Sequence, residues 1–420
     1  MKNQSFYNKE MLKTGLFCLF CAGTLQAQIV NKTTLKVKPG TIVSLGSDFN
    51  NTPLGEVIND GQLEVKQHWS NDGKISFTES EQGTTHFIGG QEQIIDGDVV
   101  SQNVYTRFKN VVFDNKSETV PFILAREISI SGNADFKNGI VDADTYDSTV
   151  TFDKNSSHKN AGKNSFIDGK LKKIGTKEFE FPSGDKNYYR PMLHGAVSED
   201  AAYVVHYFLE NSDLQFPHNQ KQDQIKLIDN KEYWKVTKEN KEDKIVLSLT
   251  LDPATTASYI YDALAGTSIQ IVRWDIPTQQ WKAEGGIVDA EQKMVTGRVS
   301  KTGIFTVARV TARPGELEDG LIVYNAVSPN GDGMNDFFKI EGINNFPDNT
   351  LEIYNRYGIK VYQANGYNEQ ERVFRGEGNG KGSFKQGAVV PTGTYFYILR
   401  FKNGTGYREK AGYLYLSQDN

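Results

Sequence analysis

The residues best suited to chemistry lie in a polar run near the C-terminus, from Pro329 to Asp336. Four side chains in this run offer amide or carboxylate oxygens of the kind that calcium prefers: Asn330, Asp332, Asn335 and Asp336. Gly331 and Gly333 permit the tight curvature of a cation loop. A full calcium loop usually adds a bidentate acid downstream, and none is evident here. Because Asn and Asp also cap turns, calcium binding and a metal-free turn both stay open.

Signatures of catalysis are absent from the sequence. The six histidines show neither an HExxH motif nor paired ligand spacing, and no His or Cys follows His218. There is no GxSxG elbow, no phosphate-binding loop and no GxGxxG between a strand and a helix. We therefore predict no catalytic residue and no enzyme. The carboxylates of a glycosidase cannot be recognised from spacing, so a secreted carbohydrate-active enzyme or glycan-binding protein is the alternative.

Three tryptophans fall in the middle of the chain, at Trp234, Trp274 and Trp281. Together they would provide a stacking platform for a surface glycan. Tryptophan also dominates the cores of β-sandwiches, and the surrounding period-two pattern favours a core position for all three.

Composition limits the classes of protein to consider. A chain of 420 residues with 38% hydrophobic and 11% aromatic residues can build two to four folded domains. The net charge is −5 and the basic residues are mixed with acidic ones, so we do not expect nucleic-acid binding. The 39 glycines and the near absence of helical periodicity predict short strands joined by turns, an all-β fold.

The first 27 residues are predicted to be a signal peptide. Lys2, Lys9 and Lys13 precede a short apolar run at 15–23, and Ala27 is a suitable cleavage point before Gln28. Both cysteines lie in this segment, so the mature chain would contain neither a disulfide nor a thiolate metal site. No later stretch approaches 18 apolar residues, and we expect no transmembrane helix in the mature chain.

Two modules are predicted between the signal peptide and residue 310. Residues 28–164 alternate short apolar runs with polar turns, and two Asn-Asp-Gly turns end at Gly61 and Gly73. This pattern fits a β-solenoid, with a β-sandwich as the alternative. Residues 165–310 have longer period-two strands typical of a β-sandwich. A stretch rich in Pro, Gly and acids at 311–321 is predicted to be a linker.

The final module, residues 322–420, combines several ordered motifs. They are PNGDGMND at 329–336, LEIYNRYG at 351–358, PTGTYFY at 391–397 and the terminal strand GYLYL at 412–416. Together they resemble the gliding-motility-associated C-terminal domain, the type B sorting domain of the type IX secretion system. Tyr357 and Phe374 stand where that family usually has Trp. The residues that carry the resemblance are Pro329, Asn330, Gly331, Asp332, Gly333, Asn335, Asp336, Asn355, Arg356, Gly358, Gly393 and Tyr395.

The resemblance implies a fold and a route out of the cell. The fold would be an Ig-like β-sandwich of about seven strands, which agrees with the alternating residues of the module. The partners would be the type IX translocon and an outer-membrane barrel of the PorP/SprF kind, and residues 329–336 would present a surface to that machinery. The rest of the chain would then act at the cell surface or outside it, as an adhesin-like or gliding-motility-associated protein.

Overall fold

A computed structural model describes the chain over 27–97, 106–117, 120–197, 199–239, 245–262, 264–289, 293–311, 320–355, 357–379 and 385–418. The predicted signal peptide, apart from Ala27, and residues 312–319 of the predicted linker lie outside these ranges. The described part contains 40 strands, one α-helix of four residues and two short 3₁₀ helices. The prediction of an all-β fold is confirmed.

The N-terminal region is a β-solenoid of about six turns, which decides between the two predicted folds. Its strands follow one another around three faces and pair in parallel with the strand one turn later. In chain order they are β1 Gln28–Asn31, β2 Thr34–Val37, β3 Ile42–Leu45, β4 Asp48–Asn51, β5 Glu56–Asn59, β6 Gln62–Val65, β7 Trp69–Asn71, β8 Lys74–Ser76, β9 Thr84–Gly89, β10 Gln93–Asp96, β11 Thr106–Phe108, β12 Asn110–Asn115, β13 Phe122–Leu124, β14 Ile128–Ile130, β15 Asn133–Asn138, β16 Val141–Asp142, β17 Thr149–Phe152 and β18 Ser157–Lys159.

Aromatic side chains stack through the solenoid interior. Phe49 lies directly beside Trp69 in register, with ring centroids 4.8 Å apart. Phe87, Phe113 and Phe136 form a second in-register row, with successive centroids 6.0 and 5.4 Å apart. All five side chains are buried. Each turn therefore covers the apolar face of the turn before it, which is how a solenoid builds a core.

An asparagine ladder runs along one edge of the solenoid. Asn31 donates from Nδ2 to Asn51 Oδ1 at 2.8 Å, and Asn51 donates to Asn71 Oδ1 at 2.7 Å. Asn71 continues the row to Thr106 Oγ1 at 3.1 Å. Asn51 is completely buried, so these bonds supply the partners that a buried amide requires.

The central region continues the solenoid without a break in the sheet. Its elements are β19 Ile167–Asp168, β20 Lys170–Gly175, β21 Phe179–Phe181, β22 Ser183–Asp185, β23 Tyr188–Tyr189, β24 Met192–His194, β25 Ala201–Phe208, the 3₁₀ turn Ser212–Leu214, β26 Ile225–Ile228, β27 Tyr233–Lys238, β28 Ile245–Thr250, α1 Ser258–Tyr261, β29 Thr267–Asp275, β30 Gln280–Gly285, β31 Ile287–Asp289, β32 Met294–Val299 and β33 Gly303–Thr311. The parallel face β11-β14-β17-β20 pairs antiparallel with β25 and extends through β27, β33, β29 and β30.

A second, antiparallel sheet, β21-β24-β28-β32-β31, packs against this ten-stranded sheet. The two sheets form the predicted central sandwich, and one apolar core runs from Val37 in the solenoid to Val307 in the sandwich. The solenoid thus supplies part of the sheet from which the sandwich is built.

A buried ion pair lies in the central sandwich. Arg190 binds Glu232 through two hydrogen bonds of 2.9 and 2.8 Å, and both side chains are almost fully buried. Glu232 also accepts hydrogen bonds from Tyr207 Oη and Thr256 Oγ1. A bidentate pair with its remaining oxygen sites filled is the form in which a buried carboxylate is tolerated.

The C-terminal module, residues 320–418, has its own core. Its elements are β34 Ile322–Val323, β35 Ala326–Val327, β36 Ile340–Glu341, the 3₁₀ turn Ile343–Asn345, β37 Asn349–Tyr354, β38 Lys360–Asn365, β39 Gly393–Asn403 and β40 Gly406–Leu416. They make a five-stranded sheet, β35-β40-β39-β37-β38, and a two-stranded sheet, β34-β36. Among the described residues, no helix is long and apolar enough to cross a membrane.

Candidate functional site

The polar run after β35 folds into a loop organised by Asp336. The two oxygens of its carboxylate accept hydrogen bonds from the backbone N–H groups of Gly331 at 2.7 Å and Gly333 at 2.9 Å. Both glycines have positive φ angles, +78° and +85°. The loop needs glycine at these positions because a side chain would strain this left-handed backbone.

The other polar residues of the loop complete the same turn. Asn330 Oδ1 accepts from the N–H of Asp332, and Asp332 Oδ1 accepts from the N–H of Met334 at 2.7 Å. The bond from Met334, followed by that from the Asn330 amide, holds the pKa of Asp332 below its usual range. Asn335 adopts a left-handed φ of +55° and its carbonyl accepts from Ser328 N–H.

These contacts bear on the calcium hypothesis. The carboxylate oxygens of Asp336 and one oxygen of Asp332 already accept backbone hydrogen bonds, as in the metal-free turn. Within the described ranges there is no group of three or more His, Cys, Asp or Glu side chains arranged to hold a metal ion. Calcium binding by Asn330, Asp332, Asn335 and Asp336 remains a prediction.

A second motif forms the turn between β37 and β38. Asn355 Oδ1 accepts from the N–H groups of Tyr357 and Ile359, both at 2.9 Å, and Gly358 N–H donates to the Asn355 carbonyl. Gly358 has a φ of +70° and is buried. Asn and Gly are therefore the structural residues of this turn. Arg356, predicted as part of the site, lies outside the described residues.

The third motif begins the long strand β39. Gly393 opens the strand opposite Leu416 of β40, and Tyr395 is buried with its hydroxyl donating to the Pro391 carbonyl at 2.7 Å. Phe374, at a usual Trp position of the family, is fully buried in the module core. Tyr357, at the other such position, is 44% exposed.

The three motifs meet at one end of the five-stranded sheet. Val327, just before the polar loop, pairs with Leu416, which pairs in turn with Gly393. Tyr354, just before the Asn355 turn, pairs with Phe396 near the start of β39. We call this the motif end. The sequence separates the motifs by about 20 to 40 residues, and only the strand order brings them together.

The tryptophans predicted as a core or a glycan platform are buried. Trp234 and Trp281 are fully buried and Trp274 is 3% exposed. Trp274 and Trp281 contact each other edge to face at 5.7 Å, and Trp281 Nε1 donates to the Phe216 carbonyl at 3.0 Å. In this arrangement their ring faces are not open to a sugar.

A polar cleft of about 990 Å³ lies between the central sandwich and β40. Four of its charged lining groups form two ion pairs: Arg273 binds Glu284 at 2.6 Å, and Lys282 binds Asp275 at 2.6 Å. The Lys282 and Thr278 hydrogen bonds hold the pKa of Asp275 well below its usual range. Sequence reasoning missed this cluster because its members lie on separate strands.

A cluster of acids lies on the solenoid face that leads into the central region. Asp142 and Asp168 are adjacent in register, and Asp185 follows nearby. Burial, with contributions from the Asp185 and Asp142 charges, raises the pKa of Asp168 to about 7. Asp168 accepts a hydrogen bond from the backbone of Lys186 at 2.8 Å, so it also has a structural role.

Comparison with protein families identifies the C-terminal module. Residues 321–416 match the family described as the CHU_C Type IX secretion signal domain. No curated protein and no solved structure matches the chain. The predicted sorting domain is confirmed, and such a signal implies export across the outer membrane to the cell surface or the extracellular space.

Proposed function

We propose that, with a type IX secretion signal domain at residues 321–416, this chain acts at the cell surface as an adhesin-like or gliding-motility-associated protein. The observation that carries the proposal is the attachment of this signal to a solenoid with long, regular lateral walls. Stacked repeats of this kind are well suited to binding extended partners. Catalysis has no part in the proposed role.

One lateral wall illustrates the surface that would be used. Ser44, Glu64 and His86 stand side by side on successive strands, in register. Neighbouring strands in a sheet lie about 4.8 Å apart, so such a wall presents side chains at a regular repeat. His86 is held in place by a 2.5 Å contact between Nε2 and Gln62 Oε1.

We further propose that the motif end engages the type IX translocon and that a PorP/SprF-like outer-membrane barrel retains the protein at the surface. The loop at 330–335 is exposed and its backbone is fixed by internal hydrogen bonds. A preorganised exposed loop loses little conformational entropy on binding, which supports its use as a recognition element.

Export is tested by fusing residues 322–420 to a periplasmic reporter in a host with the type IX system. We expect the reporter to become accessible to protease added outside the cell. A matched fusion without these residues should stay in the periplasm. If both the fusion of residues 322–420 and a longer fusion beginning at residue 311 stayed in the periplasm, the assignment of an autonomous export signal would be contradicted.

The surface role is tested separately, in cells that express the chain without residues 28–310. Attachment or gliding should be lost while the shortened chain still reaches the surface. Unchanged attachment and gliding would exclude the adhesin-like and motility roles. Because secretion is measured in the same cells, failure of export and failure of function remain distinguishable.

Glycan binding or a carbohydrate-active enzyme remains the alternative function. Binding would have to use surfaces other than Trp234, Trp274 and Trp281, which are buried. A glycan array probed with the purified chain tests it. Turnover of a polysaccharide that disappears on one Asp or Glu substitution would replace the proposed role by an enzymatic one.

A further inference from the structure

The sheet of the C-terminal module is covered on both faces. Odd-numbered residues of β39 point into the module core, whereas Phe396 and Ile398 point away from it. Their neighbours on β37 with the same orientation are Tyr354 and Glu352. All four are between 5% and 7% exposed. We call these four residues the docked face, because another part of the molecule must bury them.

The central sandwich supplies that cover. Val246 of β28 forms an apolar cluster with Tyr354 and Ile398. Arg298, the partner of Val246 on the neighbouring strand β32, donates from Nη1 to Glu352 Oε2 at 2.5 Å. These residues come from the face of their sheet opposite to the Leu247 and Val295 side, which belongs to the main core. The contact is therefore between the outer faces of two sheets.

Glu352 is held from both sides. Its second oxygen accepts from Lys360 Nζ of its own module at 3.1 Å, and its side chain is 10% exposed. A carboxylate this deeply buried requires hydrogen-bonded cations around it. Separating the modules would remove the Arg298 guanidinium from Glu352, so the ion pair favours the docked arrangement.

Two glycines meet where the modules come closest. A Cβ atom on Gly195 would lie 2.7 Å from the Gly358 carbonyl oxygen, and one on Gly358 would lie 2.8 Å from Gly195 Cα. Gly195 follows β24 and donates to the Val246 carbonyl, which fixes its position. The backbones thus touch at a point where neither chain has room for a side chain.

We infer that the secretion signal domain docks on the central sandwich through this face, and that Gly358, the last residue of the LEIYNRYG motif, serves as the docking element. In the docked state Gly358 faces the central sandwich of the same chain. The polar loop at 330–335 and the exposed Tyr413 and Tyr415 of β40 stay open to other partners. Any partner that needs Tyr354 or Ile398 must first displace the sandwich.

The inference is tested by cutting the linker in an otherwise intact chain. A site-specific protease sequence is placed within residues 312–319, and the chain from Gln28 is cleaved and run on a size-exclusion column at low micromolar concentration. We expect the two pieces to elute together at 0.15 M NaCl. Elution of the wild-type pieces as two separate peaks would overturn the docking inference.

Variants identify the contact. Gly195→Leu and Arg298→Glu should each weaken co-elution at least tenfold, measured as the concentration at which half the pieces separate. Gly90→Ala is the matched control, because a Cβ there meets nothing within 4 Å. Equal co-elution of all three variants would place the contact elsewhere and overturn the inference.

Cross-linking keeps the inference testable should a variant misfold. The chain from Gln28 has no cysteine, so Val246→Cys with Ile398→Cys creates one pair in the apolar cluster. A short bifunctional maleimide should join the pieces so that they stay linked after cleavage. Val246→Cys with Tyr407→Cys, an exposed position near the β39–β40 turn, is the control. Linkage at equal yield in both pairs, or in neither, would overturn the assigned face. These measurements need no secretion and are independent of the adhesin-like role.

Discussion

The solenoid and the C-terminal module are both built from strands, but they use polar residues in opposite ways. In the solenoid, Asn51 bonds to residues 20 positions before and after it, so each turn is completed by its neighbours. In the C-terminal module, Asp336 bonds to backbone groups three and five residues away, so its hydrogen bonds stay within the loop. The hydrogen bonds of the solenoid therefore link each turn to the next, whereas those of the motif loop link only residues of the loop.

The largest effect is expected when an aromatic ring is removed from the solenoid interior. Trp69→Ala should lower the free energy of unfolding by about 3–5 kcal/mol, because it empties space between Phe49 and Phe87. Urea denaturation followed by circular dichroism measures this. A loss below about 1 kcal/mol would show that neighbouring turns can collapse into the gap.

A smaller loss is expected from the asparagine ladder. Asn51→Ala should lower the free energy of unfolding by about 1–3 kcal/mol, since it leaves the buried side-chain oxygen Oδ1 of Asn71 without its donor. Asn31→Ala, at the half-buried end of the row, is the matched control and should cost less. Equal losses in urea denaturation would mean that the bonds do not act as a ladder.

Burial of an acidic residue in the solenoid, beside another acid in register, disfavours its charged form. Because the pKa of Asp168 is raised to about 7 in the folded chain and is about 4 when unfolded, the folded state binds the proton more tightly. Stability should therefore fall as the pH rises from about 4 to 7. Asp168→Asn should flatten this part of the profile of melting temperature against pH. A profile identical to wild type would show that Asp168 does not titrate in this window.

The smallest effect is expected at the motif loop. Asp336→Ala should lower stability by about 1 kcal/mol, because two hydrogen bonds at a partly exposed site are lost. Asp336→Asn keeps an oxygen acceptor and should lose less, as thermal denaturation would show. Stabilisation of the wild type by millimolar calcium, absent in both variants, would contradict a metal-free turn and support calcium binding.

Much of the local structure could be predicted from the sequence. The turns at Gly61 and Gly73 and the polar run ending at Asp336 are specified by neighbouring residues, so pattern alone indicates them. The choice between solenoid and sandwich was not decided by pattern, because both bury alternating residues of short strands. It depends on pairing between Asn31 and Asn51, which lie one turn apart.

The packing of one module against the next could not be predicted from the sequence. The strand pattern changes near Ser165, yet one sheet continues across this point, with Leu171 of β20 paired to Val205 of β25. Ile398 packs against Val246 of the central sandwich, but nothing in the sequence identifies Val246 as its partner. Such long-range packing depends on topology, and one sequence does not encode it in any local signal.

The continuous ten-stranded sheet has a mechanical consequence. If the protein is held at the cell surface by its C-terminal module and pulled through its solenoid, the tension passes from β20 to β25 through antiparallel hydrogen bonds. At this junction the described strands of the solenoid and of the sandwich belong to one continuous sheet. Force applied to the first turn of the solenoid would therefore reach the central sandwich through paired strands.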